Sequence, residues 1–405
     1  MKLQAKRQAD LFLPGKRLQM EESIEHTILS LQAHAEEHDH WGIAWSGGKD
    51  SSATLTLILW LISSGKIKRP KTLTVFYADT RMELPPLAIA AHRMMQIMRD
   101  RGIDIQIVRA PLDKRFFVYI LGRGVPPPNN NTLRWCTRQI KVDPMTAAIE
   151  EYLSGFDGSF LMITGVRQGE SAIRDRRIEM SCSKDGAECG QGWYQQVLPN
   201  AKGIRGRIAT LAPLLHWRVC HVWDWLTVYA PDQEYGGYPT AIIADAYGGD
   251  EAEEINARTG CVGCPLAEEE KALNTILLNP AWDYLEPLKG LKPLYRELRE
   301  PQNRLKKSGV ERLQDGSIAK NPQRLGPLIF KARLMALDRI LAIQSEVNAR
   351  GSAIDILDEE EEARIRELIA LETWPEKWDG TEPTGDTVMP TIFQDGSMQP
   401  LLFVD

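Results

Sequence analysis

Two hydrophobic periods alternate along the first 230 residues. Short stretches of strand length, most of them nearly unbroken apolar runs, occur at 41–45 (WGIAW), 73–78 (LTVFYA), 103–108, 160–164 and 208–215. Such runs suit strands buried on both faces. Between them lie stretches of helical spacing. Residues 20–38 carry Ile24, Ile28, Leu31 and Ala35 on one face, and 84–101 and 145–153 read as helices too. Strand–helix–strand alternation predicts an α/β fold: a doubly wound, mainly parallel sheet, with ligands bound beyond the carboxyl ends of its strands. From about 266 the pattern becomes helical and more charged, over 279–299 and 325–350, and the acids of 358–371 read as a solvated helix face. Residues 176–207 are polar, glycine-rich and aperiodic, which predicts an ordered loop. The expected organisation is an N-terminal helical extension (1–40), a nucleotide-binding domain (41–265), a helical C-terminal region (266–375) and an extended tail (376–405).

Composition narrows this picture in three ways. The net charge of −6 argues against a surface coated with nucleic-acid-binding charge, though not against a local basic patch. No apolar run reaches membrane-spanning length, and residues 1–20 lack a signal-peptide core, so a cytoplasmic location and no membrane contact are expected. Six cysteines in 405 residues are too few for a disulfide scaffold; where they cluster, metal or redox chemistry is the better reading. Four of the seven histidines (His26, His34, His38 and His40) precede the first strand, where a solvated helix end is favoured over a metal site.

The densest chemistry lies between the first strand and the next helix, at Ser46-Gly47-Gly48-Lys49-Asp50-Ser51-Ser52. Two glycines permit backbone angles closed to other residues, three hydroxyls and a lysine follow, and the helix after them directs its positive end at the same point. This arrangement captures polyanions. It is not the usual P-loop, whose glycine spacing differs. Asp79 and Thr80 end the second strand and belong to the same ligand-binding rim, as nucleotide contacts or as turn residues. Arg134, Arg138 and Lys141 surround Cys136, and Gly165-Val166-Arg167 followed by Glu170-Ser171 and Arg174 ends the strand at 160–164; guanidinium groups suit oxyanions.

Cys261-Val262-Gly263-Cys264 has metal-ligand spacing, Cys136 lies in the strand-end layer, and Cys182 and Cys189 sit in the polar loop. Four thiolates from this set could hold a [4Fe–4S] cluster, with Cys136, Cys261 and Cys264 as the firmest ligands and Cys182 or Cys189 as the fourth. Zinc competes for the same ligands, and a redox pair or plain structural thiols are the other readings. Cys220, among apolar neighbours, reads as a buried core thiol.

These motifs carry a resemblance. The stretch 46–52 resembles the PP-loop of the ATP pyrophosphatase superfamily. Cys136-Thr137 with Lys141 and Pro144, the Gly165–Arg174 segment, and Trp217 to Trp223 resemble the phosphoadenosine phosphosulfate reductase family, over roughly residues 40–265. Those reductases carry a nucleophilic cysteine near the C-terminus, and no cysteine follows Cys264 here. The combined motifs are most similar to the ATP pyrophosphatase component of DNA phosphorothioation systems (the DndC/SspD type). The resemblance implies ATP and Mg²⁺ as ligands, Lys49 and Asp50 as catalytic residues, and nucleotide contacts from Ser46, Gly47, Gly48, Ser51, Ser52, Asp79, Thr80, Gly165, Arg167 and Arg174. Asp50 is the candidate Mg²⁺ contact, and iron–sulfur is favoured over zinc. Implied partners are a cysteine desulfurase as sulfur donor, other phosphorothioation proteins and DNA as substrate, with homo-oligomerisation open. A sulfonucleotide reductase, a tRNA-thiolating enzyme and a nucleotide sensor without turnover are the alternatives.

Overall fold

The structure is a computed structural model describing residues 18–129, 134–155, 158–169, 176, 193–196, 208–248, 260–312 and 315–401. The chain forms two compact units interleaved in sequence. The first comprises residues 1–79, 84–108 and 145–259, and the second 80–83, 109–144 and 260–405. The units are thus discontinuous in sequence, each built from three separate segments.

In the first unit, α1 (Met20–His34) precedes β1 (His40–Trp45), α2 (Lys49–Ser63), β2 (Thr72–Ala78), α3 (Pro85–Asp100), β3 (Asp104–Val108), α4 (Asp143–Ser154), β4 (Phe160–Ile163), β5 (Trp193–Gln196), β6 (Ile208–Ala212) and α5 (Val219–Asp224). The strands form one sheet in the order β3-β2-β1-β4-β6-β5. Five run parallel, and β5 closes the edge antiparallel to β6. Ile43 of β1 pairs with Val75 on one side and Ile163 on the other, so β1 is the centre from which the chain winds in both directions. That reversal leaves a crevice at the carboxyl ends of β1 and β4, where such sheets bind ligands. The α/β sheet matches the sequence-based expectation; β5 corrects it, because an edge strand of four residues needs no hydrophobic alternation and reads as loop.

α2 is buried almost all round: Lys49 and every residue from Ser52 to Leu61 are buried. Its polar residues survive there because each hydroxyl has work. Thr54 and Thr56 donate to carbonyls four residues back, at 2.9 and 2.8 Å. Ser52 and Thr56 also accept the indole N–H groups of Trp45 and Trp225, each at 2.9 Å. Trp217 is fastened in the same way to Thr27 of α1 at 3.0 Å. Buried indoles are thus used as bolts, their rings filling volume and their N–H groups satisfied. On the far side of the sheet, Phe76, Phe160, Met162, Val108 and Leu153 form a buried cluster under α4. Cys220 is half-buried rather than a core thiol, since it lies on the outer side of the short helix α5.

In the second unit, α6 (Lys271–Ile276), α7 (Leu291–Glu297), the β7–β8 ribbon (Arg304–Lys306 with Leu325–Leu328), α8 (Phe330–Arg350), α9 (Glu359–Ala370) and the β9–β10 hairpin (Thr391–Ile392 with Met398–Gln399) join a π-helical turn at Val118–Gly122. Arg333 of α8 is fully buried at its centre. It donates to the carbonyls of Leu328, Gly122 and Thr373 and lies 4.5 Å from the ring centres of both Phe330 and Trp374. Gly124, at φ +75°, leaves the room: a β-carbon there would meet the guanidinium at 2.1 Å. Two sequence expectations change in this unit. Residues 325–328 are strand rather than helix. The acidic start of α9 is not wholly solvated, since Glu361 is 2% exposed and faces Arg81 and Arg115 at 3.5 and 3.7 Å. Charge runs read as surface when their partners are distant in sequence.

His216 offers a test of the packing in the first unit. Burial, reinforced by His26 and His221, lowers its pKa to about 4. The unfolded state then binds the proton first. Stability should be full above the ordinary histidine value of 6.5, fall as pH drops through the window to about 4, and lose about 3 kcal/mol in all. Denaturant midpoints across pH 7 to 4 check this, and His216→Phe should flatten the slope.

Candidate functional site

The glycine turn after β1 is the best-formed polar site of the first unit. Gly47 takes φ +72°, which a side chain would strain, and Gly48 is the extended N-cap of α2. Ser51 ties the turn together. Its hydroxyl accepts from the Ser46 amide at 3.2 Å, lies 3.2 Å from the Ser46 hydroxyl, and reaches the Gly48 carbonyl at 3.1 Å. The Lys49 amide, first in α2, donates to the hydroxyl of Tyr247 at 3.3 Å, and the Lys49 ammonium lies 5.0 Å from the same ring's centre. Tyr247 thereby places an oxygen where a helix N-terminus would hold an anionic one. It was missed by sequence reasoning, because 198 residues separate the pair.

Lys49 and Asp50 are both largely buried, and Asp50 is held between two cations. Arg167 Nε donates to Oδ1 at 2.5 Å, and Lys49 Nζ lies 3.1 Å from Oδ2. Arg167, 4% exposed, also donates to the Trp217 carbonyl at 3.1 Å. Burial works to raise the Asp50 pKa, but the charges of Arg167 and Lys49 outweigh it and hold the carboxyl below the usual aspartate value. Both carboxylate oxygens are thus committed to cations. This does not fit the expected open Mg²⁺ ligand; Asp50 positions Lys49 and Arg167 instead.

Gly165, just beyond β4, explains how the clamp closes. A β-carbon there would lie 2.8 Å from the backbone of Asp50 and Ser51. Only glycine lets the end of β4 approach the start of α2 closely enough for Arg167 to reach Asp50.

The remaining expected contacts are distributed unevenly. Ser52 is fully buried with its hydroxyl on Trp45, so it fastens strand to helix and does not face the turn. Asp79 is 8% exposed, and its amide bonds the Val108 carbonyl at 3.0 Å. Thr80 belongs to the second unit, where its amide and hydroxyl both meet Glu83 Oε1, at 3.1 and 2.6 Å, in a capped turn. Arg174, Cys182 and Cys189 lie outside the described residues. A cavity of about 400 Å³ in the first unit is lined by Arg167, Gly169, His216 and Arg218, among others.

The second unit contains Cys136, Cys261 and Cys264. The Cys264 amide bonds the Cys261 carbonyl at 3.1 Å, and Gly263 at φ +60° shapes the tight turn between them. Burial raises the Cys136 pKa, with Cys264 adding repulsion; burial, Cys264, Glu83 and Cys136 push Cys261 up to about 12. Such thiols stay protonated until a positive group is supplied. Among the described residues no three His, Cys, Asp or Glu side chains converge on one metal-ion position. The described cysteines therefore do not by themselves form a single-ion zinc site, and no three of the N-terminal histidines form one either.

Residues 40–230 match the family model described as the phosphoadenosine phosphosulfate reductase domain. No curated protein matches the chain. Among solved structures, the chain is similar to the phosphate complex of phosphoadenylyl-sulfate (PAPS) reductase from Candida auris, at 15% identity and a TM-score of 0.31, covering 52% of this chain and 87% of that one. No helix among the described residues is long and apolar enough to cross a membrane.

Two substitutions separate the site's parts. Gly165→Ala should force β4 away from α2 and weaken nucleotide binding about tenfold or more, the cost of overpacking a rigid contact. Ser52→Ala should leave nucleotide affinity unchanged while lowering stability by about 1–3 kcal/mol, because the Trp45 indole loses its acceptor. Titration calorimetry with ATP and chemical denaturation measure both effects.

Proposed function

We propose that this protein is a PP-loop ATP pyrophosphatase that activates a DNA backbone phosphate by adenylylation for sulfur insertion. The observation that carries the nucleotide part is the clamp of Lys49, Asp50 and Arg167 at the first turn of α2, directly behind the φ +72° glycine turn. A helix N-terminus and an adjacent ammonium favour the polyphosphate of ATP, and the charge that grows on departing pyrophosphate is what they stabilise best. In the reaction, a non-bridging phosphate oxygen of DNA attacks the α-phosphorus, the bond to the β-phosphate oxygen breaks, and pyrophosphate leaves. The outer sulfur of a persulfide delivered by a cysteine desulfurase then attacks the activated DNA phosphorus and AMP leaves; a second thiol, as reductant, cleaves the remaining S–S bond, leaving the phosphorothioate and a disulfide.

Asp50 holds Lys49 and Arg167 at fixed distances while this charge moves, which avoids reorganisation during the step. Cys136, Cys261 and Cys264, with Cys182 or Cys189, belong to the proposal as ligands of a [4Fe–4S] cluster. A cluster spreads its cysteines more widely than a single ion, and when bound it would supply electron or sulfur handling. Cys136 and Cys261 both lie close enough to Cys264 for it to raise their pKa values, and that proximity of three thiols supports the reading.

The match of residues 40–230 to the reductase domain favours a second reading, a sulfonucleotide reductase. The two differ in substrate and reductant. Under the first, ATP yields pyrophosphate, and Lys49→Ala and Asp50→Ala should each reduce its release about 100-fold or more, as loss of a preorganised charge does. Full pyrophosphate release in Lys49→Ala refutes the first reading. Thiol-dependent sulfite release from an adenylyl sulfate, with no pyrophosphate from ATP, establishes the second.

A further inference from the structure

A cleft of about 380 Å³ in the second unit is lined by Glu268, Lys292, Tyr295, Arg296 and Arg299, with Pro265 next to Cys264. Three of these five are cations, but their charges are balanced unequally. Lys292 pairs with Glu270 at 3.3 Å, and the other oxygen of Glu270 accepts the Gly263 amide. Arg296 and Arg299 have no carboxylate partner among the described residues. Arg296 donates to the Glu268 carbonyl at 3.1 Å, and Arg299 to the carbonyls of Pro128 and Pro265. Neutral carbonyls orient a guanidinium without cancelling its charge.

Two buried donors in this wall are unused. Tyr295 is 1% exposed, its ring packed against Phe116 and Phe117, and its hydroxyl has no hydrogen-bond partner among the described residues. Arg299 Nε is equally buried and unpartnered. A buried polar group without a partner is costly and uncommon in a settled fold, so two in one cleft mark a missing ligand. Both are donors beside two uncompensated positive charges, which calls for an acceptor-only, negatively charged group.

We propose that this cleft is an oxyanion site that takes the phosphate or sulfate group of a ligand, held by Tyr295, Arg296 and Arg299. Glu268 is its one acidic lining residue, at the exposed mouth, and disfavours the entry of more highly charged anions. The volume exceeds that of one bare oxyanion, so the group arrives as part of a larger molecule. The site also lies beside the cysteine turn: Tyr295 Cε2 is 3.3 Å from where a β-carbon on Gly263 would be. Burial and the neighbouring Arg296 lower the Arg299 pKa, a repulsion that a bound anion relieves. None of this depends on the nucleotide reading of the glycine turn.

The test is calorimetric titration of inorganic sulfate into the full chain and into Tyr295→Phe, Arg296→Gln and Lys49→Ala. The expected result is one binding event weakened about tenfold or more in the first two variants, as loss of a hydrogen bond to a charged group requires, and retained in Lys49→Ala. In the Lys49→Ala background, displacement of sulfate by AMP assigns a nucleotide ligand, and displacement by a short DNA strand assigns a backbone phosphate. No sulfate binding, or binding lost only in Lys49→Ala, overturns the proposal. Thermal melting without sulfate adds an independent readout. Removing a partnerless hydroxyl should leave the Tyr295→Phe midpoint unchanged or raised, and a clear fall shows that the hydroxyl is engaged and refutes the premise.

Discussion

The carboxylate of Asp50, caught between Lys49 and Arg167, is the contact on which the first unit's polar site depends. Three pieces of chain must be correctly placed for it to form: the glycine turn after β1, the first turn of α2 and the end of β4. Any one displaced leaves a largely buried charge without its counter-charge, a fault worth about 3–5 kcal/mol. The clamp therefore links the assembly of the central strands to the shape of the turn. It also explains why the surrounding residues are so committed: Ser51 bonds the turn to itself, Gly165 makes room, and the carbonyl of Trp217 fixes the far end of Arg167.

What was legible in the sequence was what local composition dictates. Unbroken apolar runs mark strands buried on both faces, and Gly47-Gly48 before a helix marks a turn of left-handed geometry. Both are properties of a few adjacent residues. What could not be read was set by residues far apart. Nothing near Asp50 announces Arg167, which is 117 positions away, and nothing near Lys49 announces Tyr247. Ser52 illustrates the converse. Its place in a hydroxyl-rich motif suggested a ligand contact, while its helical position, one step round from Ser51, turns it inward onto Trp45. The acids at 359–362 read as solvated for the same reason, since the arginines that meet Glu361 come from residues 81 and 115.

The second unit shows another way in which polar groups enter a core. Arg333 is completely enclosed, yet three carbonyls accept from it and two aromatic rings flank it. Its charge is dispersed over carbonyl dipoles and π faces instead of being matched by a carboxylate, an arrangement that suits a weakly hydrated guanidinium better than an ammonium. Tyr295 and Arg299 use the same elements, aromatic packing and carbonyl acceptors, and like Arg333 at Nη2 each keeps a buried donor without a partner among the described residues.

The interleaving of the two units has a consequence for how the polypeptide is made. Synthesis delivers 109–144 well before 260–405, the stretch with which it forms one body. The first unit has all its segments once residue 259 has emerged, whereas the earlier segment of the second, with Phe116, Phe117 and Cys136, must wait outside a finished neighbour for its partners. During that interval its apolar side chains are exposed, the circumstance in which chaperones are recruited and aggregation competes with folding. A cut made at the apparent boundary near 265 would make the delay permanent, so a shortened chain ending there would fail through the orphaned middle segment and not through anything missing from the sheet.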